Sequence, residues 1–226
     1  MGARRAIVVL ALIGCCAGCA APQPHVPAAE PASGRFWTWQ SRKYANVVRQ
    51  ETDFTCGAAS LSTISRYYYG RPILESQFTR VIRERYSDEE WHGKEKSGLS
   101  LLDMKIAAAA LGFMSEGLKL TIDDAVALQG PVIVHLDKGY IKHFSVLRSI
   151  QGDRAYLADP VLGNVRIPVT EFARQWSGYA LAVWIDGQAL PHNHRLAISN
   201  ADLTHEGPVA RRFLYTQQPL PNANRL

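Results

Sequence analysis

The sequence predicts an α+β domain in which a helical half is followed by an antiparallel sheet. Three observations carry that reading. From Ala58 to Leu111 apolar residues recur at spacings of three and four, the helical period. Beyond Gly130 the pattern changes to short β-branched runs separated by tight turns, the signature of hairpins. The two patterns are segregated along the chain instead of alternating, which separates α+β from parallel α/β architectures.

The chain opens with an export signal over residues 1–21. Arg4 and Arg5 precede an apolar run from Ala6 to Ile13 and a cluster of small residues, Gly14 to Ala20. The run is far shorter than the roughly twenty residues of a membrane-spanning helix. Leu12-Ile13-Gly14-Cys15 looks like a lipobox, in which the cysteine after the cut carries the lipid; Cys16-Ala17-Gly18-Cys19 fits less well. Ordinary cleavage after Ala20 or Ala21 is the alternative. Either reading places the mature domain in the periplasm or cell envelope, with contact to the membrane only through a lipid anchor. Residues 22–36, rich in Pro and Ala, read as a tether. Residues 37–186 are long enough for one domain with its own core.

Within that domain the elements follow in order. An irregular polar stretch, Gln50 to Thr55, gives way at Cys56 to small and apolar residues at helical spacing. The first helix carries Leu61, Ile64 and Tyr68 on one stripe and ends at Gly70-Arg71-Pro72. A second, Glu75 to Tyr86, repeats Phe78, Val81 and Ile82. A third, Ser100 to Leu111, has a capping serine with Asp103 three residues on and stops at Gly112. The cluster Tyr67-Tyr68-Tyr69 reads as core packing or a half-exposed face rather than a ligand platform. Strands then follow at Pro131–Leu136, His143–Ile150 and Arg154–Asp159, with turns at Lys138-Gly139-Tyr140 and Gln151-Gly152-Asp153. Val165-Arg166-Ile167, a brief helix from Thr170 to Trp176 and a final strand from Ala180 to Ile185 complete the sheet. Residues 187–226 form a polar tail, expected to be extended or partly disordered.

Composition excludes several functions. The net charge of +5 is spread over leader, body and tail without basic residues interleaved with aromatics on one face, so nucleic acid is not an expected partner. Three of the four cysteines lie in the leader, leaving Cys56 with no disulfide partner and no zinc-ligand set around it. No metal or cofactor is expected. A lone thiol in an oxidising compartment is a liability unless it is buried or used.

The chemistry of use is specific. Cys56 stands at a predicted helix start, where unpaired N–H groups and the positive end of the macrodipole stabilise a thiolate. Such a nucleophile needs a histidine to exchange its proton, and the histidine needs an oxygen partner to fix its tautomer. His143 opens one strand of a predicted hairpin and Asp159 closes the next, which makes them neighbours at one edge of the sheet. His135, inside an apolar strand, is the rival base. Gln50, six residues before the sulfur, and the peptide N–H of Cys56 are the candidate oxyanion donors.

The set Gln50…Asp53-Phe54-Thr55-Cys56-Gly57, His143-Phe144-Ser145-Val146-Leu147 and Asp159-Pro160 resembles the papain-like cysteine peptidases of the bacteriocin-processing, double-glycine leader family over about residues 44 to 185. The resemblance implies a papain-like cysteine peptidase fold with the cleft between its halves. It also implies Cys56 as nucleophile, His143 as general base and acid, Asp159 as the residue orienting the imidazole and Gln50 as oxyanion-hole donor. Cleavage would follow a Gly-Gly type site. The family's best-known members are fused to an ATP-driven exporter; no exporter span and no Gly-rich phosphate loop with Lys occurs in these residues, so only the peptidase module is carried over. Free-standing relatives accompany secretion systems for extracellular fibres. The expectation is therefore an endopeptidase acting on a secreted polypeptide, with a secretion apparatus as a further partner. The alternatives are a non-cleaving peptide-binding or secretion-accessory module on the same fold and a cell-wall amidase.

Overall fold

The computed structural model describes residues 39–139 and 142–204. The expected leader, tether and end of the tail, together with Tyr140, lie outside these residues. The element order is α1 (Trp39–Lys43), α2 (Cys56–Tyr67), α3 (Glu75–Arg83), α4 (Asp88–Ser97) and α5 (Leu101–Ala110), then β1 (Met114–Lys119) and α6 (Ile122–Val126). It continues with β2 (Val132–Asp137), β3 (Lys142–Gln151), β4 (Arg154–Asp159), β5 (Gly163–Pro168), α7 (Val169–Gln175), β6 (Trp176–Trp184) and α8 (Asn200–Thr204). The strands form one antiparallel sheet of six in the order β1-β6-β2-β3-β4-β5. Among the described residues no helix is long and apolar enough to cross a membrane.

Helix α2 is the centre of the helical layer. Ten consecutive residues, Cys56 to Ser65, are buried, so it is enclosed on all sides, unlike a surface helix with one apolar stripe. Ala58, Ala59, Ser60 and Ser62 are small enough to let neighbours approach, and the hydroxyls are used. Ser62 donates to the carbonyl of Ile73 at 2.7 Å, Ser65 donates to that of Arg71, and Thr63 accepts the N–H of Val48 at 3.0 Å. The helix thus fastens the loops on either side of it. Its apolar residues join Phe78, Ile82, Met104, Phe113, Phe144 and Val146 in a core on one face of the sheet. A second core, with Val134, Leu147, Leu157, Phe172 and Trp176, lies on the other face against α6 and α7.

The structure adds elements to the predicted order. Helix α4 has no buried residue and no apolar face to betray it; its capping box, Ser87 with Glu90, is what starts it. Strand β1 is a polar edge strand paired only with β6. The segment after Asp186, expected as an extended tail, continues across the domain through residue 204. Leu196 is buried in the first core, Arg195 donates its peptide N–H to Tyr67 O at 3.0 Å, and Asn46 Nδ2 donates to Arg195 O at 3.1 Å. Arg148 on β3 holds this strap most firmly. Its guanidinium pairs with both carboxylate oxygens of Asp202 at 2.9 and 3.0 Å and donates to the carbonyls of Leu196 and Ala197 and to Asn164 Oδ1. Gly163, at φ 78°, marks another close approach: a Cβ there would lie 2.2 Å from the carbonyl oxygen of Lys43. Only glycine lets the end of α1 lie against β5 at that point.

Candidate active site

The sulfur of Cys56 stands at the first residue of α2, where no side chain caps the helix start. Thr55, the residue in the capping position, turns its hydroxyl back to Thr52 O at 3.1 Å and accepts from Thr52 N and Thr52 Oγ1. The helix's positive end is thereby left to act on the sulfur and on whatever lies before it. Cys56 is buried, with 7% of its surface exposed, and its Sγ accepts the peptide N–H of Phe144 at 3.4 Å. That bond ties the helical half to β3 one residue from His143.

The hairpin of β3 and β4, turned at Gly152 with φ 58°, sets the other two groups. Val146 faces Ala158 across the strands, which brings Asp159 level with Ser145 and leaves His143, two residues further along the same face, diagonally across from it. The diagonal is closed by a hydrogen bond of 2.9 Å between His143 Nε2 and Asp159 Oδ2. A carboxylate can only accept, so Nε2 carries the proton and Nδ1 is left for the sulfur. The other carboxylate oxygen accepts the N–H groups of Val161 and Leu162, both at 2.9 Å, so the Asp159-Pro160 turn fixes the carboxylate as rigidly as the carboxylate fixes the ring.

Electrostatics follow from this geometry. Burial opposes the charge on His143, yet hydrogen bonds and opposite charge from Asp159 and Cys56 prevail and raise its pKa to about 9. Asp159 is buried too, which favours its neutral form. The bond and charge of His143, the charge of Lys138 and the N–H of Leu162 win, and hold its carboxyl below the usual carboxylate range. At neutral pH the ring is a cation beside the Asp159 carboxylate. A thiol paired with such a ring is suited to attack a carbonyl carbon, and the ring to hand a proton to a departing amine.

Gln50 lies on the loop before the sulfur, but its amide is partly committed. Nε2 donates to Thr52 O at 2.9 Å, and Oε1 is buried without a partner among the described residues. The amide carries a second N–H, which this bond leaves for a ligand. The loop is anchored to the far half by Gln50 N, which donates to Pro160 O at 3.3 Å. His135 is not joined to this set: burial lowers its pKa, its Nδ1 is 3.0 Å from Ser177 Oγ, and its ring lies beside Phe144. Tyr68 and Tyr69 pack in the core, as their helical spacing predicts.

One residue beside the site was not singled out by sequence. Glu75, at the start of α3, is 3% exposed and accepts the peptide N–H of Glu51 in both carboxylate oxygens at 3.1 Å each. Burial raises its pKa, and hydrogen bonds from Thr55 and Glu51 oppose the rise. Its only visible signal is an acid in a helix's first turn, which ordinarily reads as a surface residue at the positive end of the dipole.

Comparison with known proteins agrees with the fold and assigns the family. Residues 44–186 match the model of the Peptidase C39 family. The chain is 38% identical over 145 residues to the probable functional amyloid protease FapD of Pseudomonas aeruginosa, covering 64% of this chain and 62% of that protein. Against the FapD of Pseudomonas fluorescens it is 36% identical over 149 residues, covering 66% and 64% respectively. It thus spans less than two thirds of either relative. Among solved structures, the peptidase domain of Streptococcus ComA superposes with a TM-score of 0.53 at 23% identity, covering 62% of this chain and 98% of that domain. That likeness establishes the shared fold, in which helices precede the antiparallel sheet. With the family model matched from before Gln50 to beyond β6, the chain belongs to the Peptidase C39 family.

Proposed function

We propose that this chain is a cysteine endopeptidase that cuts an exported polypeptide after a Gly-Gly type site. The observation that carries the proposal is the buried hydrogen bond of His143 to Asp159 next to the Cys56 sulfur, which accepts the N–H of the residue after His143 at an uncapped helix start. In the acylation step the Cys56 thiolate attacks the scissile carbonyl carbon. Negative charge develops on the carbonyl oxygen and is met by the peptide N–H of Cys56 and the free N–H of the Gln50 amide. His143 Nδ1–H passes its proton to the leaving amine as the C–N bond breaks, which leaves a thioester on Cys56. The now neutral ring removes a proton from water, the hydroxide adds to the thioester, and collapse expels the thiolate and the new carboxyl terminus. Asp159 holds the ring throughout and touches no substrate atom.

The substrate class rests on the export signal read in residues 1–21 and on similarity to proteins named functional amyloid proteases. The working place is the periplasm or cell envelope, with a lipid on Cys15 as the anchor and a secretion apparatus as the neighbouring partner. Two measurements test this. Purified protein should release product from peptides carrying Gly-Gly before the cut and not from Ala-Ala counterparts, and Cys56→Ala should release none. The termini of secreted proteins should change when Cys56→Ser replaces the wild type in the cell. Equal turnover of both peptides removes the Gly-Gly preference, and turnover by Cys56→Ala removes the mechanism.

A further inference from the structure

The six residues from Gln50 to Thr55 must deliver two donors to one point: the Gln50 amide at their start and the Cys56 peptide N–H just past their end. They form no helix or strand. Four attachments hold them. Gln50 N is bound to Pro160 O, the Gln50 side chain donates from Nε2 to Thr52 O, and Thr52 and Thr55 are knotted together at the far end. Between these, the peptide unit joining Gln50 to Glu51 is held, among the described residues, by Glu75, whose two oxygens share its N–H. That peptide plane is the one whose rotation sets the ψ angle of Gln50.

A carboxylate is an expensive choice for this position. Removing a charged carboxylate from water costs several kcal/mol. A leucine would occupy similar space without that cost. What the carboxylate adds is a charge-assisted acceptor, about twice as strong as a neutral one, with both oxygens on the Glu51 N–H and the Thr55 hydroxyl as its second neighbour. Glu75 makes no hydrogen bond to Cys56, His143 or Asp159.

We propose that Glu75 is a positioning residue that locks the Gln50–Glu51 peptide and thereby aims the Gln50 side chain at the oxyanion. The role rests on the peptidase reading above, and acts on the transition state more than on substrate binding. Removing a single oxyanion donor costs about 10²–10³ in kcat, and misaiming one costs less. Glu75→Leu should therefore lower kcat by about 10- to 100-fold, and Glu75→Gln, which keeps one acceptor oxygen, by about 3- to 10-fold. KM should stay within about twofold for both, since the contact serves the transition state.

Three readouts separate this role from loss of fold. Alkylation of Cys56 by iodoacetamide reports on the Cys56–His143 pair and should stay within about twofold of wild type in both variants. Hydrogen exchange at the Glu51 amide should quicken in Glu75→Leu. In a Gln50→Ala background, Glu75→Leu should cost less than about threefold further, because the group it serves is gone. Alkylation slowing in step with kcat, or a full additional loss in the Gln50→Ala background, overturns the proposal. Should the wild type hydrolyse no peptide, the peptidase reading falls and the exchange rate decides Glu75's hold by itself: an unchanged rate at the Glu51 amide in Glu75→Leu overturns it.

Discussion

Replacing Asp159 by Asn keeps the shape of the side chain, removes its charge and should disarm the imidazole beside it. The pKa of His143 is raised from its ordinary value of 6.5 to about 9. At about 1.4 kcal/mol per pH unit, the hydrogen bonds and charge around the ring together favour the cation by roughly 3 kcal/mol over the free residue, after burial has been overcome. An amide cannot replace this. If its oxygen faces His143 Nε2, its NH₂ meets the N–H groups of Val161 and Leu162, which now bond to Oδ1; if turned the other way, its NH₂ faces the ring's own N–H. Either orientation sets donor against donor. A ring returned fully to 6.5 would still be about one quarter protonated at pH 7, so titration costs about fourfold, and the lost acceptor that fixes the tautomer brings the loss in kcat/KM to on the order of 10² or more. More diagnostic, the alkaline limb of the pH–rate profile should move from near pH 9 down by at least one unit. The assay is kcat/KM for a fluorogenic peptide from about pH 5 to 10, with alkylation of Cys56 followed over the same range. A variant that keeps its alkaline limb near pH 9, or retains a third of wild-type activity, would refute the claim that Asp159 sustains the charge on His143.

Three further outcomes rest on described contacts. A Cβ at Gly57 would lie 2.5 Å from Met104 Sδ, so Gly57→Ala should lower stability in urea by about 1–3 kcal/mol, with Met104→Val in the same chain recovering part of it. Arg148→Ala leaves the Asp202 carboxylate without its partner and should cost about 3–5 kcal/mol, with hydrogen exchange rising across residues 190–203 before the rest of the domain. Because His143 binds its proton more tightly in the fold than in the unfolded chain, its contribution is full below pH 6.5 and is lost as pH rises through about 9. Urea unfolding at about pH 6 and about pH 9.5 should show that loss in the wild type and a smaller one in His143→Gln. Asp159 behaves oppositely: its contribution is present above 3.8 and disappears as pH falls through its depressed value.

What could be read from sequence was whatever local chemistry enforces. The hairpin at Gly152 could be placed because a tight turn between β-branched runs fixes register, and Arg154–Asp159 is a strand over that same range. Cys56 could be placed because the change from polar to helical spacing falls on it. Helix α4 was invisible because a helix that buries nothing leaves no periodicity. Strand β1 was invisible because its glycine and charges do not alternate with apolar residues. The strap through residue 204 is held by Arg148 and Leu196, contacts that depend on folding partners some fifty residues apart, and its polar composition says nothing of them. Glu75 shares that fate: its two bonds are to a backbone N–H 24 residues away.

The sheet separates two cores, and the reacting groups are divided between their sides: the sulfur lies with the first, while His143 and Asp159 stand in the strand rows of Leu147 and Leu157. Phe144, which binds the sulfur through its N–H, and Met104, which packs under Gly57, lie with α2; Phe172, Trp176 and Leu157 lie behind the strands with α7. The rear layer therefore bears on the footing of the imidazole as well as on robustness. A lineage, or an engineer, that softens or hardens that layer changes how long the domain survives and how firmly His143 is seated, together.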